Sequence, residues 1–306
     1  MTSGRKNVWG TTLRPKGRPG RRWAGERGSG RPRRTLLLAA LLLSGLSAVA
    51  QLAAQPAARA LAQALRGTQA SAVALDAQTG NVLAAAGPPR RGAPGSTLKP
   101  LLLEYALDHA IVRADTEVYC RRNLHIGTRA LPCTHPASQP VFTAESALAE
   151  SCNTWFAEMA RRFTGPNLDA ALETTRLPHA SMASADVAQR QLAVLGLNGV
   201  TASPLELARA YRDLLAHLPP EGTVARGLRG SVDYGMASPA AVPGLVLLGK
   251  TGTASDPGEA WTHGWFAGAI PGRVVLVVYV PHADGGNAAR LAQRFFSALP
   301  PAGSAR

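Results

Sequence analysis

A chain of 306 residues with 33 Lys and Arg against 19 Asp and Glu has a formal charge of +14, and 46% of its residues are hydrophobic against 17% charged. Length and composition suit one or two globular domains and exclude a chain disordered throughout. The basic excess is local: residues 1–34 hold eleven Lys and Arg and a single acid, Glu26, while the other 272 residues carry 22 basic and 18 acidic side chains, so the folded part calls for no nucleic-acid partner.

In chain order, the basic tail 1–34 ends in Arg33-Arg34 and meets the uncharged run Thr35 to Ala50, which contains seven leucines. Sixteen helical residues reach about 24 Å against about 30 Å of hydrocarbon, so the run spans a bilayer only if it continues through 51–54. Residues 35–54 are read as a signal-anchor, with cleavage after Ala48-Val49-Ala50 as the alternative. Arg33-Arg34-Thr35-Leu36-Leu37 leaves a twin-arginine route open beside the general one. Positive charge directly before an apolar run marks the cytoplasmic side, which puts the rest of the chain outside the cytoplasm. Residues 55–67 are expected as a linker, 68–300 as the folded domain and 301–306 as a tail.

Within the folded part, Ser71–Leu75 and Asn81–Ala86 flank the polar turn Asp76-Ala-Gln-Thr-Gly80 and predict a hairpin. A Gly/Pro/Arg loop over 87–95 leads to a helical stretch from Ser96 to about His109, with Pro100 tolerated in its first turn. Helices are predicted from Thr143, over Thr154–Phe163, and from Ser203-Pro204-Leu-Glu206 to about His217, the last with the signature of a capping box. Leu245–Leu248, Trp265–Ile270 and Arg273–Val280 predict a return to strand, and Ala288–Leu299 a closing helix.

Three short motifs carry the chemistry. Ser96-Thr-Leu-Lys99 places a hydroxyl and an ammonium one turn apart, an arrangement that suits a serine nucleophile activated by a lysine of depressed pKa. Lysine is scarce, at 6, 16, 99 and 250 only, so two of four stand in motifs. Ser151-Cys-Asn153 ends a helical pattern and can project a hydroxyl and an amide into a cleft, although Ser and Asn also serve as ordinary caps. Lys250-Thr251-Gly252-Thr253 follows an apolar run, where glycine admits an added peptide strand and the lysine and hydroxyls can hold a carboxylate.

In this order the motifs resemble those of the penicillin-binding protein transpeptidase family, the serine acyltransferases of the penicillin-recognising superfamily. The resemblance extends to Asp76-Ala-Gln-Thr-Gly-Asn-Val-Leu-Ala84, Pro94–Pro100, Glu150–Phe156, Gly199–Ala208, Gly249–Ala254 and His263–Ala267, and covers about residues 68–300. It implies an α/β fold of the α+β type: a five-stranded antiparallel sheet flanked by the first and last helices, plus an all-helical subdomain, with the active-site cleft between them. It further implies Ser96 as the acylated residue, Lys99 as general base, Ser151 with Lys250 as proton relay, and Asn153, Thr251, Gly252 and Thr253 as substrate-binding residues. The oxyanion hole would be the backbone N–H groups of Ser96 and Thr253.

The implied substrates are D-Ala-D-Ala stem peptides of peptidoglycan, with β-lactams as covalent inhibitors, the inner membrane as an anchor, and no cofactor or metal. Transpeptidase and carboxypeptidase differ only in the acceptor. A β-lactamase is the alternative enzyme, but Asp186-Val-Ala-Gln-Arg190 lacks the Glu-x-x-Leu-Asn of class A and Asn153 replaces the valine common in class D. A non-catalytic envelope-binding or sensor module is the remaining alternative, opposed by intact Ser96, Lys99 and Lys250. Only about 14 residues separate the apolar run from Thr68, so no glycan-polymerising module is expected. Cys120 and Cys133 enclose twelve residues that resemble a paired-cysteine loop of some family members, and export would make a disulfide between them the expected state. Zinc on Cys120, His125, Cys133 and His135 is the alternative there, with a spacing that matches no common finger. Cys152 is left as a small packing residue or a redox-sensitive thiol.

Overall fold

The computed structural model describes residues 55–256 and 258–301, so the basic tail, the apolar run 35–54 and the last five residues lie outside the described part. No helix among the described residues is long and apolar enough to cross a membrane. The expected linker is corrected at its start: residues 55–64 form a helix, α1, whose Ala57, Ala60, Leu61 and Ala64 are buried. Their spacing of three and four puts them on one face, which is why an alanine-rich stretch packs rather than tethers.

The predicted hairpin is β1 (Ser71–Asp76) and β2 (Val82–Ala86), paired antiparallel. Asp76 closes its turn by accepting N–H bonds from Gln78 and Thr79 at 3.0 and 2.7 Å, and Gly80 supplies φ +74°. The sheet is completed by β7 (Leu248–Ala254), β8 (His263–Ile270) and β9 (Val274–Val280), all antiparallel, in the order β2-β1-β9-β8-β7. The five-stranded antiparallel sheet is the expected one. One boundary differs: 245–247 precede the strand, which starts at Leu248 and therefore contains Lys250 to Thr253 instead of ending before them. Outside this sheet, β3 (Val118–Tyr119) pairs with β6 (Val141–Phe142) and β4 (His125–Ile126) with β5 (Arg129–Ala130).

Both faces of the sheet are covered, and the strands show it. Along β9, Val275, Val277 and Tyr279 join one apolar cluster while Val274, Leu276 and Val278 join another, so a central strand reads as an unbroken hydrophobic run. The second cluster packs α1 and the closing helix α9 (Gly285–Ala298) on one face through Leu61, Phe295 and Phe296. The first joins the opposite face to the helical part: α2 (Lys99–Asp108), α3 (Ala144–Ala149), α4 (Asn153–Arg162), α5 (Gly165–Thr175), α6 (Val187–Val194) and α7 (Pro204–His217). The capping box expected at Ser203 is present, with Glu206 Oε2 accepting from Ser203 N at 2.8 Å. The last helix of this region, α8 (Thr223–Asp233), packs against α3 and β7.

Candidate active site

Ser96 lies in a 3-10 turn, Gly95–Leu98, directly ahead of α2. The turn is held by side chains from distant elements. Tyr211 of α7 donates to Thr97 O at 2.8 Å, and Thr97 Oγ1 donates to Pro94 O at 2.6 Å. On the preceding peptide, His263 Nε2 and Trp265 Nε1 of β8 donate to Ala93 O at 2.8 and 2.9 Å, and Asp256 Oδ1 accepts from Ala93 N at 2.8 Å. Gly95, at φ +55°, is required by more than its backbone angle: a Cβ there would stand 2.8 Å from Thr253 O. Reciprocally, a Cβ on Gly252 would stand 2.5 Å from Pro94 O, so the glycine of the third motif lets β7 press directly against the turn that carries Ser96.

Lys99 is fully buried, and all its donors are engaged by the second motif: Nζ donates to Asn153 Oδ1 at 2.8 Å, Ser151 O at 3.0 Å and Ser151 Oγ at 3.3 Å. Burial pushes its ammonium down to about 8, opposed by the nearby sulfurs of Cys152 and Cys133 and by a position 4.9 Å above the Phe156 ring that favours the cation. The motif bridges α3 and α4. Ser151 has φ +56°, an uncommon conformation for a residue with a Cβ, which turns the chain so that its carbonyl and its hydroxyl both face Lys99.

Lys250 is also fully buried in β7, donating to Thr251 O at 3.3 Å, and burial together with the charge of Lys99 holds it well below the ordinary lysine range. Thr251 Oγ1 donates to Met236 O at 3.3 Å, and Thr253 Oγ1 accepts from Gly285 N at 2.9 Å, which ties the strand to the start of α9. A cleft of 660 Å³ opens over this assembly, lined by Ser96, Ser151, Asn153, Thr251 and Thr253, with the α9 start at Gly285 as another wall. Because β7 is an edge strand, its outer side is available to pair with an extended peptide. The structure thus brings Ser96, Lys99, Ser151, Asn153, Lys250, Thr251, Gly252 and Thr253 to one place. Sequence reasoning missed His263, Trp265, Asp256 and Tyr211, which hold the nucleophile turn, because no short spacing links them to it.

Cys120 and Cys133 are corrected. Both thiols are free, and so is that of Cys152. Cys120 Sγ lies 3.3 Å from His135 Nε2 and donates to Thr154 Oγ1 at 3.5 Å, while Cys133 Sγ lies 3.9 Å from the sulfur of Cys152, against about 2.05 Å for a disulfide. The α3–α4 junction inserts Cys152 among the loop thiols, so the three sulfurs and His135 form one buried group with donor atoms all within 4.8 Å of one another. His125 is exposed and outside it. A second group of possible ligands, Asp256, Glu259 and His263, is partly exposed.

Residues 70–221 match the family model described as penicillin binding protein transpeptidase domain. The fold is similar to the D,D-transpeptidase domain of a peptidoglycan glycosyltransferase from Eggerthella lenta, at TM-score 0.69 and 21% identity over 79% of this chain and 80% of that one. It is also similar to the transpeptidase domain of penicillin-binding protein 3 from Burkholderia pseudomallei, at TM-score 0.68 and 20% identity over 82% and 93% of the chains. A third similar structure is Pseudomonas aeruginosa PBP2 in complex with WCK 5153, at TM-score 0.66 and 18% identity over 78% and 73%. No curated protein sequence matches the chain.

Proposed function

Given that this chain belongs to the penicillin-binding protein transpeptidase family, we propose that it is a serine acyltransferase that cross-links or trims peptidoglycan stem peptides ending in D-Ala-D-Ala. The observation that carries this reading is the buried Lys99, one turn from Ser96 and hydrogen-bonded to both Ser151 and Asn153. Two of its three partners, Ser151 O and Asn153 Oδ1, can only accept. Of these three partners the Ser151 hydroxyl alone can both accept and donate, which suits it to carry a proton from Lys99 onward to a leaving group.

In the proposed cycle the donor peptide pairs with the outer edge of β7, its terminal carboxylate near Thr251, Thr253 and Lys250, and its amide near Asn153. Ser96 Oγ attacks the penultimate D-Ala carbonyl as Lys99 takes its proton, and the N–H groups of Ser96 and Thr253 stabilise the oxyanion. The C–N bond then breaks, and the leaving D-Ala amine takes a proton through Ser151 with Lys250 nearby. An amine acceptor or water attacks the acyl-enzyme and releases Ser96. β-Lactams would acylate the same serine and remain there. The N-terminal run 35–54 would anchor the chain with this domain outside the cytoplasmic membrane, a reading supported by the basic residues that precede it.

Fluorescent penicillin incubated with the full chain in detergent tests the reading. A long-lived adduct is expected, mapped to Ser96 and missing in Ser96→Ala. Labelling that survives Ser96→Ala overturns the assignment, and release within seconds favours a β-lactamase.

A further inference from the structure

Beside the catalytic residues lies a group that the acyl-transfer chemistry does not use. Cys120, Cys133, His135 and Cys152 are each buried, and their four donor atoms converge within 4.8 Å of one another. Four donors around a tetrahedral metal with bonds of about 2.3 Å to sulfur and about 2.0 Å to nitrogen stand about 3.5–3.8 Å apart. The observed separations, 3.9 Å between Cys133 Sγ and Cys152 Sγ and 3.3 Å between Cys120 Sγ and His135 Nε2, are close to the edges of that tetrahedron. They are far from the length of a disulfide.

The surroundings suit thiolates and a neutral imidazole. His135 Nδ1 is 3.0 Å from Pro136 O, a group that can only accept, so Nδ1 carries the proton and Nε2 turns its lone pair toward the sulfurs. Arg122 N donates to Cys120 Sγ at 3.4 Å, and the Arg122 guanidinium donates to His135 O at 2.8 Å, holding the loop ends together. Thr154 Oγ1, in the first turn of α4, reaches both Cys120 Sγ and Cys133 Sγ, and the N-terminal end of that ten-residue helix favours negative charge there.

We propose that Cys120, Cys133, His135 and Cys152 form a closed Zn²⁺ site that ties the 120–135 loop to the α3–α4 junction. Soft thiolates with one imidazole in tetrahedral array select zinc among common divalent ions, and four protein ligands leave no open position for a substrate, which makes the metal structural. Its place in the molecule gives it a consequence for the active site. Cys152 stands between Ser151 and Asn153, so the ion would hold the positive-φ turn that aims both residues at Lys99. Metal binding releases the three thiol protons to solvent and leaves a charge of −1 on the cluster, faced by Arg122, by the start of α4 and by Lys99.

Elemental analysis of the full chain, purified in detergent without chelator, tests this directly. One zinc per chain is expected, with all three cysteines resisting alkylation until a strong chelator is added. Replacement by Co²⁺ should give the visible bands and the near-ultraviolet thiolate charge transfer of a tetrahedral site. Cys120→Ala should lower retained zinc to about one chain in ten or fewer, whereas His135→Cys, which restores a fourth donor, should keep it. The wild-type cobalt spectrum and His135→Cys remain informative if Cys120→Ala does not fold. Metal-free protein with two of the cysteines bridged in non-reducing peptide maps overturns the proposal, as does full zinc retention in Cys120→Ala. Penicillin labelling of Ser96 is read separately, so loss of zinc binding and loss of acylation are distinguishable.

Discussion

At the scale of single residues, the decisive quantity is the protonation of Lys99. With its ammonium pushed to about 8, about one chain in ten holds a neutral Lys99 at pH 7, against about one in three thousand at the ordinary value of 10.5. A base works in its neutral form, so the sign is a gain with rising pH. Penicillin acylation is expected to rise about tenfold between pH 7 and pH 9 and then level off, as stopped-flow measurement across that range would show. A flat profile would remove Lys99 as the base. Lys99→Arg keeps the charge in every accessible buffer and cannot accept the proton, so it should slow acylation by about two orders of magnitude or more. Ser151 shows the same dependence on fit with neighbours: its φ of +56° costs energy locally and persists because its carbonyl and hydroxyl both meet the buried amine.

At the scale of elements, α8 is a helix that the sequence reading did not name, as are α1, α5 and α6. Its Thr-Val-Ala-Arg-Gly-Leu-Arg-Gly-Ser-Val-Asp contains two glycines, which weaken a helix in isolation. Contact with α3 explains one of them. A Cβ on Gly227 would stand 2.9 Å from Leu148 Cδ2 and 3.1 Å from Glu145 O, so glycine is what allows the two helices to touch. Gly227→Val should therefore destabilise the fold by about 1–3 kcal/mol through overpacking, read from urea unfolding, despite replacing a poor helix former. Because α3 leads into Ser151, the same variant is expected to lower acylation in the fraction that stays folded. The boundary of β7 carries a similar lesson. Leu245–Leu247 have the apolar character of a strand, but pairing with β8 begins at Leu248 and runs through the polar Lys250–Thr253, because hydrogen bonding to a neighbour defines a strand more strictly than hydropathy does.

At the scale of the whole molecule, two apolar clusters lie on opposite faces of one sheet, and α1 completes the outer one. Leu61 and Leu65, with Ala57, Ala60 and Ala64, close over the sheet beside Phe295 and Phe296. A soluble form that begins at Thr68 would expose that surface. It should lose about 3–6 kcal/mol relative to one that begins at Gln55, measured as a lower unfolding midpoint in denaturant, since two buried leucines account for most of the difference. Equal stability of the two forms would show that α1 is dispensable.

Local rules made much of the protein legible. The hairpin around Asp76, the capping box at Ser203, the strands and the closing helix follow from turn chemistry, caps and apolar period, each of which acts over a few residues. The eight candidate site residues were readable from three ordered motifs, two of which hold the only lysines beyond the basic tail, and their order resembles that of the transpeptidase family. Tertiary structure alone decided what those residues do to one another. It buried Lys99 against acceptors 52 and 54 positions away, set Gly95 against the Thr253 backbone and Gly252 against Pro94 O, and clamped Ala93 with His263, Trp265 and Asp256. It also moved Cys152 from an isolated thiol into a group with Cys120, Cys133 and His135. Contacts between such distant positions depend on how helices and sheet pack around two cores, and the spacing of residues along the chain carries no record of that geometry.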